Sequence, residues 1–222
     1  MRVLPIIALA ACLPFAAQAQ ESQKPAGHDH ADHPVAGGGA IPSGWTARAD
    51  GKGDLTKVKV VPMGSGIHVT LGPAIILYKS ANEGKGPFHT LATFTQTKPT
   101  EHAEGYGLFA GGHDLESSGQ TYVYFLVRQD GKYLIKRRDG EKTSEITKGW
   151  VTDAAVKKPD AKGSATNLLE IDHKRDPSKA VFLVNSKPVY TTDAKSLDLD
   201  GNVGLRINHN LDVHIEGFDV HR

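Results

Sequence analysis

Two acidic side chains lie at alternate positions of one predicted strand, a spacing that suits catalysis by a pair of carboxylates. Glu170 and Asp172 flank Ile171, and an extended backbone would place both carboxylates on the same face. Hydrolysis of a glycosidic bond needs such a pair, one carboxylate as the acid and the other as nucleophile or base. An ordinary polar strand face has the same spacing, and this is the interpretation we adopt. We therefore predict that the chain binds a ligand without turning it over. If it is an enzyme, Glu170 and Asp172 are the candidate catalytic residues.

A second group of residues with useful chemistry lies in the hairpin from Thr121 to Gly140. Asp130-Gly131 separates two alternating apolar runs, which predicts a two-residue turn with positive φ and pairs Arg128 with Tyr133. That register places on one face tyrosines that can stack on a sugar ring and arginines that can donate to hydroxyls or a carboxylate. These predicted ligand-binding residues are Tyr122, Tyr124, Arg128, Tyr133 and Arg137. Packing of this face in the core is the alternative.

Further polar and aromatic residues fall at predicted strand ends and loops, where a rigid scaffold usually carries its binding groups. We add four of them to the predicted ligand-binding set: Tyr106, His113, Arg206 and Asn208. Asp198, Asp200 and Asn202 offer three oxygen ligands, fewer than the six to eight that Ca²⁺ takes. An ordinary Asp-Gly turn explains the same residues. We predict no resident cofactor, with calcium or zinc as the alternative.

Three histidines near the amino terminus could bind a metal ion. His28, His30 and His33 lie within six residues together with two aspartates, and imidazole suits zinc, copper or nickel. A flexible segment offers no preorganised geometry, so such binding would be loose and unselective. A metal-binding function through this segment is therefore kept as a separate alternative.

The first 43 residues predict export and a flexible linker. Residues 1–19 resemble a cleavable signal peptide, with an apolar run too short to cross a bilayer comfortably and a small-x-small site at Ala17-Gln18-Ala19. Lipidation of Cys12, which follows Leu9-Ala10-Ala11, is the minor alternative. Residues 20–43 are rich in His, Gly and Pro and nearly lack large apolar side chains, so we predict a disordered tether. The folded domain is predicted to span residues 44–222, in a protein of the periplasm or the exterior.

Composition and patterning predict an all-β domain. The chain carries 26 Lys and Arg against 25 Asp and Glu, so its charge gives no reason to expect a nucleic-acid partner. Cys12 is the only cysteine, and a mature form without it must rely on a hydrophobic core. Short apolar runs punctuated by Gly, Pro, Asn and Asp predict about thirteen strands and no transmembrane span. This pattern favours a two-sheet antiparallel jelly-roll sandwich.

Several segments resemble a known superfamily. Gly105 to Gly112, the Asp130-Gly131 hairpin, Val181 to Val189 and Gly201 to Arg206 are similar to segments of the concanavalin A-like lectin/glucanase jelly rolls. The nearest members are the laminin-G-like domains and the bacterial 3-keto-disaccharide hydrolase domains. The resemblance implies two stacked sheets, of which the concave one often binds sugar, and hence a glycan or another small extracytoplasmic ligand.

The resemblance also bears on catalysis. Glu170-Ile171-Asp172 is similar to the start of the E-I-D-x-x-E signature of the jelly-roll glucanases, but Lys174 and Arg175 stand where the last acid is expected. The first hypothesis is therefore an exported, lectin-like carbohydrate-binding protein. A glycoside hydrolase of the 3-keto-disaccharide hydrolase or glucanase type is the alternative.

Overall fold

Two antiparallel β-sheets make up the fold. The computed structural model describes residues 31–222, which form one compact unit. In this part of the chain the strands are β1 (Thr46–Ala49), β2 (Val58–Met63), β3 (Gly66–Leu71), β4 (Ile75–Gly84), β5 (His89–Gln96), β6 (Gly105–His113), β7 (Thr121–Arg128), β8 (Lys132–Asp139), β9 (Lys142–Glu145), β10 (Val151–Thr152), β11 (Ala165–Asp172), β12 (Lys179–Val184), β13 (Lys187–Asp193), β14 (Gly201–Ile207) and β15 (Asp212–His221). Short 3-10 helices span Leu55–Lys57 and Ala194–Ser196.

The strand order confirms the predicted jelly-roll sandwich. Sheet A runs β1-β4-β14-β6-β7-β8-β10, with β9 also paired to β8, and sheet B runs β13-β12-β11-β5-β15-β3-β2. The predicted strands omit β1 and β10, which are short and lie at the two ends of sheet A. Strands of two to four residues carry too few alternating positions to produce a recognisable pattern.

The main hydrophobic core lies between the sheets. Along β5 every second side chain is buried, as expected for a strand with one face on the core. Phe125 from sheet A and Phe182 from sheet B meet edge to face with ring centroids 5.4 Å apart, and both are fully buried. Burial of a side chain of this size contributes about 2 to 3 kcal/mol, so these rings help to hold the two sheets together.

The β7–β8 hairpin is present, but its predicted register is wrong. Arg128 pairs with Lys132 and not with Tyr133, so the loop has three residues, Gln129, Asp130 and Gly131. Gly131 has φ of 82° and its N–H donates to the Arg128 carbonyl over 3.1 Å, as in a turn that ends in a left-handed glycine. A shift of one residue moves every β8 side chain to the opposite face. Arg138, not Arg137, therefore shares a face with the tyrosines of β7.

Part of the predicted tether contacts the sandwich. The Gly39 N–H donates to the Val58 carbonyl over 2.8 Å, and the His33 N–H donates to Asn210 Oδ1 over 2.8 Å. The predicted signal peptide, Cys12, His28 and His30 lie outside the described residues. The division into signal peptide, tether and domain stays a prediction.

Candidate functional site

The face of sheet A that points away from sheet B carries a second, separate cluster of side chains. Strand alternation places Val123, Phe125 and Val127 of β7 in the main core and turns the intervening residues to this outer face. There the β7 residues Tyr122, Tyr124 and Leu126 pack with residues of β4, β6 and the loop after β6, namely Ile76, Tyr78, Phe109 and Leu115. The outer face therefore has an aromatic floor of its own.

An ion pair lies beside this floor. Arg206 of β14 donates from Nη1 to Asp50 Oδ1 over 2.7 Å and from Nη2 to Asp50 Oδ2 over 2.5 Å. Arg138 Nη1 of β8 lies 3.6 Å from the same Oδ2. The Arg206 side chain is only 8% exposed, whereas that of Asp50 retains 25% and reaches solvent at the edge of the cluster.

The charge state of Asp50 follows from its neighbours. Burial raises the pKa of this carboxyl, but the charge and hydrogen bonds of Arg206, with the charge of Arg138, outweigh burial and leave the pKa below its usual range. Asp50 is therefore ionised at neutral pH and is a poor general acid. Its role is to hold the arginines in place.

Two tyrosines complete the cluster. The Tyr122 and Tyr124 ring centroids are 5.7 Å apart, and the Arg206 guanidinium carbon lies 5.8 Å from the centre of the Tyr124 ring. Burial raises the pKa of Tyr124 to about 12 despite the charge of Arg206, and it also raises the pKa of Tyr122. Both hydroxyls are therefore protonated and able to donate at neutral pH.

Three buried donor atoms on this face lack a partner. They are Arg48 Nη1, Tyr122 Oη and Arg206 Nε, none of which has a hydrogen-bond partner in the part of the chain that the structure describes. An unsatisfied buried donor costs about 1 to 3 kcal/mol. Such atoms are rare in native proteins and mark places where a ligand or an ordered water supplies the missing acceptor. Arg48 of β1 and Arg206 of β14 pair with Ile76 of β4 from its two sides, so both lie in this part of the sheet. We call the set Arg48, Asp50, Tyr122, Tyr124, Arg138 and Arg206 the arginine–tyrosine cluster.

The structure brings three of the nine predicted ligand-binding residues together in this cluster, namely Tyr122, Tyr124 and Arg206. Arg128 is on the same face but forms two 2.8 Å hydrogen bonds to Asp130 and lies 4.3 Å from the Trp150 ring centre. It is thus held by its own turn.

The prediction that Tyr133 and Arg137 share a face with the tyrosines of β7 is wrong, because the hairpin loop has one residue more than predicted. Tyr133 belongs to the main core and donates its hydroxyl to the Val189 carbonyl over 2.8 Å, and Arg137 donates to the Ser196 carbonyl over 2.8 Å. Tyr106 also lies in the main core, where its hydroxyl accepts a 3.3 Å hydrogen bond from Asn167. A ligand on the outer face of sheet A does not reach these three side chains.

The candidate acids lie on the other sheet. Glu170 and Asp172 do share the outer face of β11 in sheet B, since Leu169 and Ile171 point into the core. Glu170 Oε2 lies 3.0 Å from His89 Nε2, and Asp172 Oδ1 accepts the N–H groups of Lys174 and Arg175 over 2.9 and 3.0 Å. Asp172 thus caps a turn, and the pair lies away from the aromatic floor of sheet A.

Three of the remaining predicted residues, His113, Asp200 and Asn202, line a polar cavity of about 380 Å³ at one end of β14. Asp200 accepts a hydrogen bond from the Gly86 N–H over 3.0 Å, and Asn202 donates to the Ser80 carbonyl over 3.2 Å. Asp198 Oδ2 lies 3.9 Å from His113 Nε2. Asn208, beyond the opposite end of β14, has a buried Oδ1 that no other described residue contacts with a hydrogen bond. Within residues 31–222 no three His, Cys, Asp or Glu side chains are arranged to hold a metal ion.

Sequence reasoning missed Arg48, Asp50 and Arg138. The correct hairpin register places Arg138 on the outer face. Gly131 could have indicated that register, because a glycine often ends a three-residue hairpin loop. Arg48 and Asp50 belong to a short edge strand and the turn after it, and no local pattern connects them with Arg206.

Sheet order and packing define the class of fold as a two-sheet antiparallel jelly roll, and solved structures of the same fold are known. The carbohydrate-binding module CBM66 from Bacillus subtilis is similar over 81% of this chain and 96% of its own, with a TM-score of 0.58 and 10% identity. A Bacillus subtilis protein of unknown function with a galectin-like fold is similar over 80% and 88%, with a TM-score of 0.57 and 11% identity.

A glycoside hydrolase family 16 protein from Bacteroides ovatus, solved with a glucan product, is similar over 79% of this chain and 94% of its own, with a TM-score of 0.51 and 11% identity. No protein-family model and no curated protein sequence matches the chain. In the described part of the chain, no helix has the length and apolar character that crossing a membrane requires. These likenesses define the fold.

Proposed function

We propose that this protein is an exported carbohydrate-binding protein whose ligand binds at the arginine–tyrosine cluster. The observation that carries the proposal is a set of three buried polar atoms without a hydrogen-bond partner among residues 31–222. They are Arg48 Nη1, Tyr122 Oη and Arg206 Nε. Similar structures include a carbohydrate-binding module and a glycoside hydrolase, which supports a sugar as the class of ligand.

The chemistry of the cluster suits a sugar. Hydroxyl and ring oxygens supply the acceptors that the unpartnered N–H and O–H groups lack. Convergent polar groups fix the orientation of a bound sugar. Because Arg206 is fixed by two hydrogen bonds to Asp50, its remaining donor is preorganised, which lowers the entropic cost of binding.

Replacing Tyr122 with phenylalanine separates binding from folding. The hydroxyl has no partner within residues 31–222, so we expect Tyr122→Phe to leave the free energy of unfolding unchanged or slightly raised. Loss of one hydrogen bond to the ligand should weaken binding about 3- to 10-fold. A glycan array on the purified protein identifies the ligand, and calorimetry on wild type and variant measures the change. Unchanged affinity for every glycan bound would contradict the proposal.

Tyr133→Phe is the matched control, because it removes the same atom from the neighbouring strand on the opposite face. The Tyr133 hydroxyl donates to the Val189 carbonyl, so this variant should lose about 1 kcal/mol of stability and keep its affinity for glycan. The opposite pattern, with affinity lost in Tyr133→Phe alone, would place the binding site elsewhere.

A further inference from the structure

We propose that the glycan bound at the arginine–tyrosine cluster is acidic, and that its carboxylate or sulfate group is recognised by Arg48 and Arg206. This inference rests on the proposed function and names the class of sugar. It comes from the balance of charge and of donors in the cluster. The cluster contains three guanidinium groups, from Arg48, Arg138 and Arg206, and a single carboxylate, from Asp50.

The single negative charge of Asp50 neutralises only one of the three positive charges of the cluster. Asp50 accepts hydrogen bonds from both terminal nitrogens of Arg206, and the Nε–H of that arginine has no acceptor in the described part of the chain. Arg138 approaches Asp50 to 3.6 Å and donates its Nε–H to the Gly140 carbonyl over 2.7 Å. Arg48 forms no ion pair among the described residues, and its Nη1 has no partner there. Asp50 therefore pairs with two of the three guanidinium groups of the cluster.

Neighbouring acids do not neutralise the excess. Glu116 accepts a 3.4 Å hydrogen bond from the Tyr78 hydroxyl, and Asp32 lies 3.0 Å from His209 Nδ1. Counting Glu116 with the cluster still leaves three guanidinium groups against two carboxylates. The local charge is positive in a chain whose overall formal charge is only +1.

Of the three unpartnered atoms of the cluster, Arg48 Nη1 and Arg206 Nε belong to guanidinium groups and can only donate, and Tyr122 Oη can donate as well as accept. The missing partner must therefore accept hydrogen bonds, and an anionic oxygen satisfies a buried guanidinium better than a hydroxyl does. Charge-assisted hydrogen bonds are roughly twice as strong as neutral ones, and arginine matches the geometry of carboxylates. A uronic acid carboxylate and a sulfate ester share this chemistry.

The test compares acidic oligosaccharides with neutral forms of the same linkage. The full chain is screened on an array that contains neutral, uronic acid and sulfated glycans. Acidic ligands that bind are then compared by calorimetry with their carboxyl-reduced or desulfated counterparts. We expect the neutral counterparts to bind at least about tenfold more weakly, and we expect affinity for the acidic forms to fall at 0.5 M salt. The comparisons with carboxyl-reduced and with desulfated counterparts show whether the recognised anion is a carboxylate or a sulfate.

Two variants connect the effect with the cluster. Arg48→Gln, which breaks no ion pair of the described residues, should lower affinity for the acidic ligand about tenfold and change affinity for its neutral counterpart less than about twofold. If Arg48→Gln does not fold, Arg48→Lys is the second variant: it keeps the charge, loses the planar guanidinium, and should weaken the acidic ligand more than its neutral counterpart. Arg175→Gln, whose side chain is 86% exposed beside sheet B, makes the same change of net charge and should leave both affinities unchanged.

Equal binding of acidic and neutral forms, or binding of neutral glycans alone, would overturn this inference and leave glycan binding intact. Binding of no glycan at all would overturn both this inference and the proposed function. An equal loss of affinity in Arg48→Gln and Arg175→Gln would show that the anion is attracted by overall charge and not recognised by the cluster.

Discussion

Asp50→Asn is expected to lower the free energy of unfolding by about 3 kcal/mol. This value lies at the lower end of the range for breaking a buried ion pair, because a quarter of the Asp50 side chain is exposed. The variant leaves Arg206, with 8% exposure, without its only carboxylate partner among residues 31–222 and with Arg138 nearby. Chemical denaturation followed by circular dichroism measures the loss.

The control for this variant is a surface acid. Asp198 has a side chain that is 74% exposed, and Asp198→Asn should change stability by less than about 0.5 kcal/mol. Replacing both partners, as in Asp50→Leu with Arg206→Met, should recover much of the loss, since an apolar pair avoids the buried unpaired charge. A loss below about 1 kcal/mol in Asp50→Asn would show that the pair is hydrated and weak.

The same ion pair predicts acid sensitivity. Arg206 and Arg138 outweigh burial and hold the pKa of Asp50 below its unfolded value, so its ionised form is favoured by folding. This contribution is fully present above the unfolded pKa, near pH 4, and is lost as the pH falls through the lower folded value. Stability measured between about pH 5 and pH 2 should therefore fall less steeply in Asp50→Asn than in wild type. Identical slopes would contradict this assignment.

Phe125→Ala is expected to cost about 3 to 5 kcal/mol. Phe125 is fully buried and lies between Tyr133 of its own sheet, at 6.3 Å between ring centroids, and Phe182 of the other sheet, at 5.4 Å. Removing the ring opens a cavity where the two sheets meet, and the surrounding strands can collapse into it only partly. Urea denaturation measures the change.

A graded substitution provides the comparison for this residue. Phe125→Leu retains most of the apolar volume and should cost clearly less than the alanine variant, because the transfer and cavity contributions both shrink. A cost of less than about 1 kcal/mol for Phe125→Ala would place the side chain outside the core and contradict the packing of the two sheets.

Local features of the sequence predicted most of the fold. Alternation of apolar residues in β7 and the Asp130-Gly131 punctuation indicated a hairpin, and the many short runs indicated two antiparallel sheets. The face assignment on β8 failed because Asp-Gly fits both a two-residue turn and the end of a three-residue loop, and one residue reverses every side chain. Tyr122, Tyr124 and Arg206 were nevertheless among the predicted ligand-binding residues.

The sequence by itself determined that this chain forms an all-β sandwich, because alternation is a local property that each strand carries in its own residues. Only the tertiary structure decided which polar residues meet. Asp50 and Arg206 are 156 positions apart and lie together because β1, β4 and β14 are neighbours in sheet A. Strand order depends on the packing of all the strands at once, and no short segment encodes it. The arginine–tyrosine cluster is a consequence of that order.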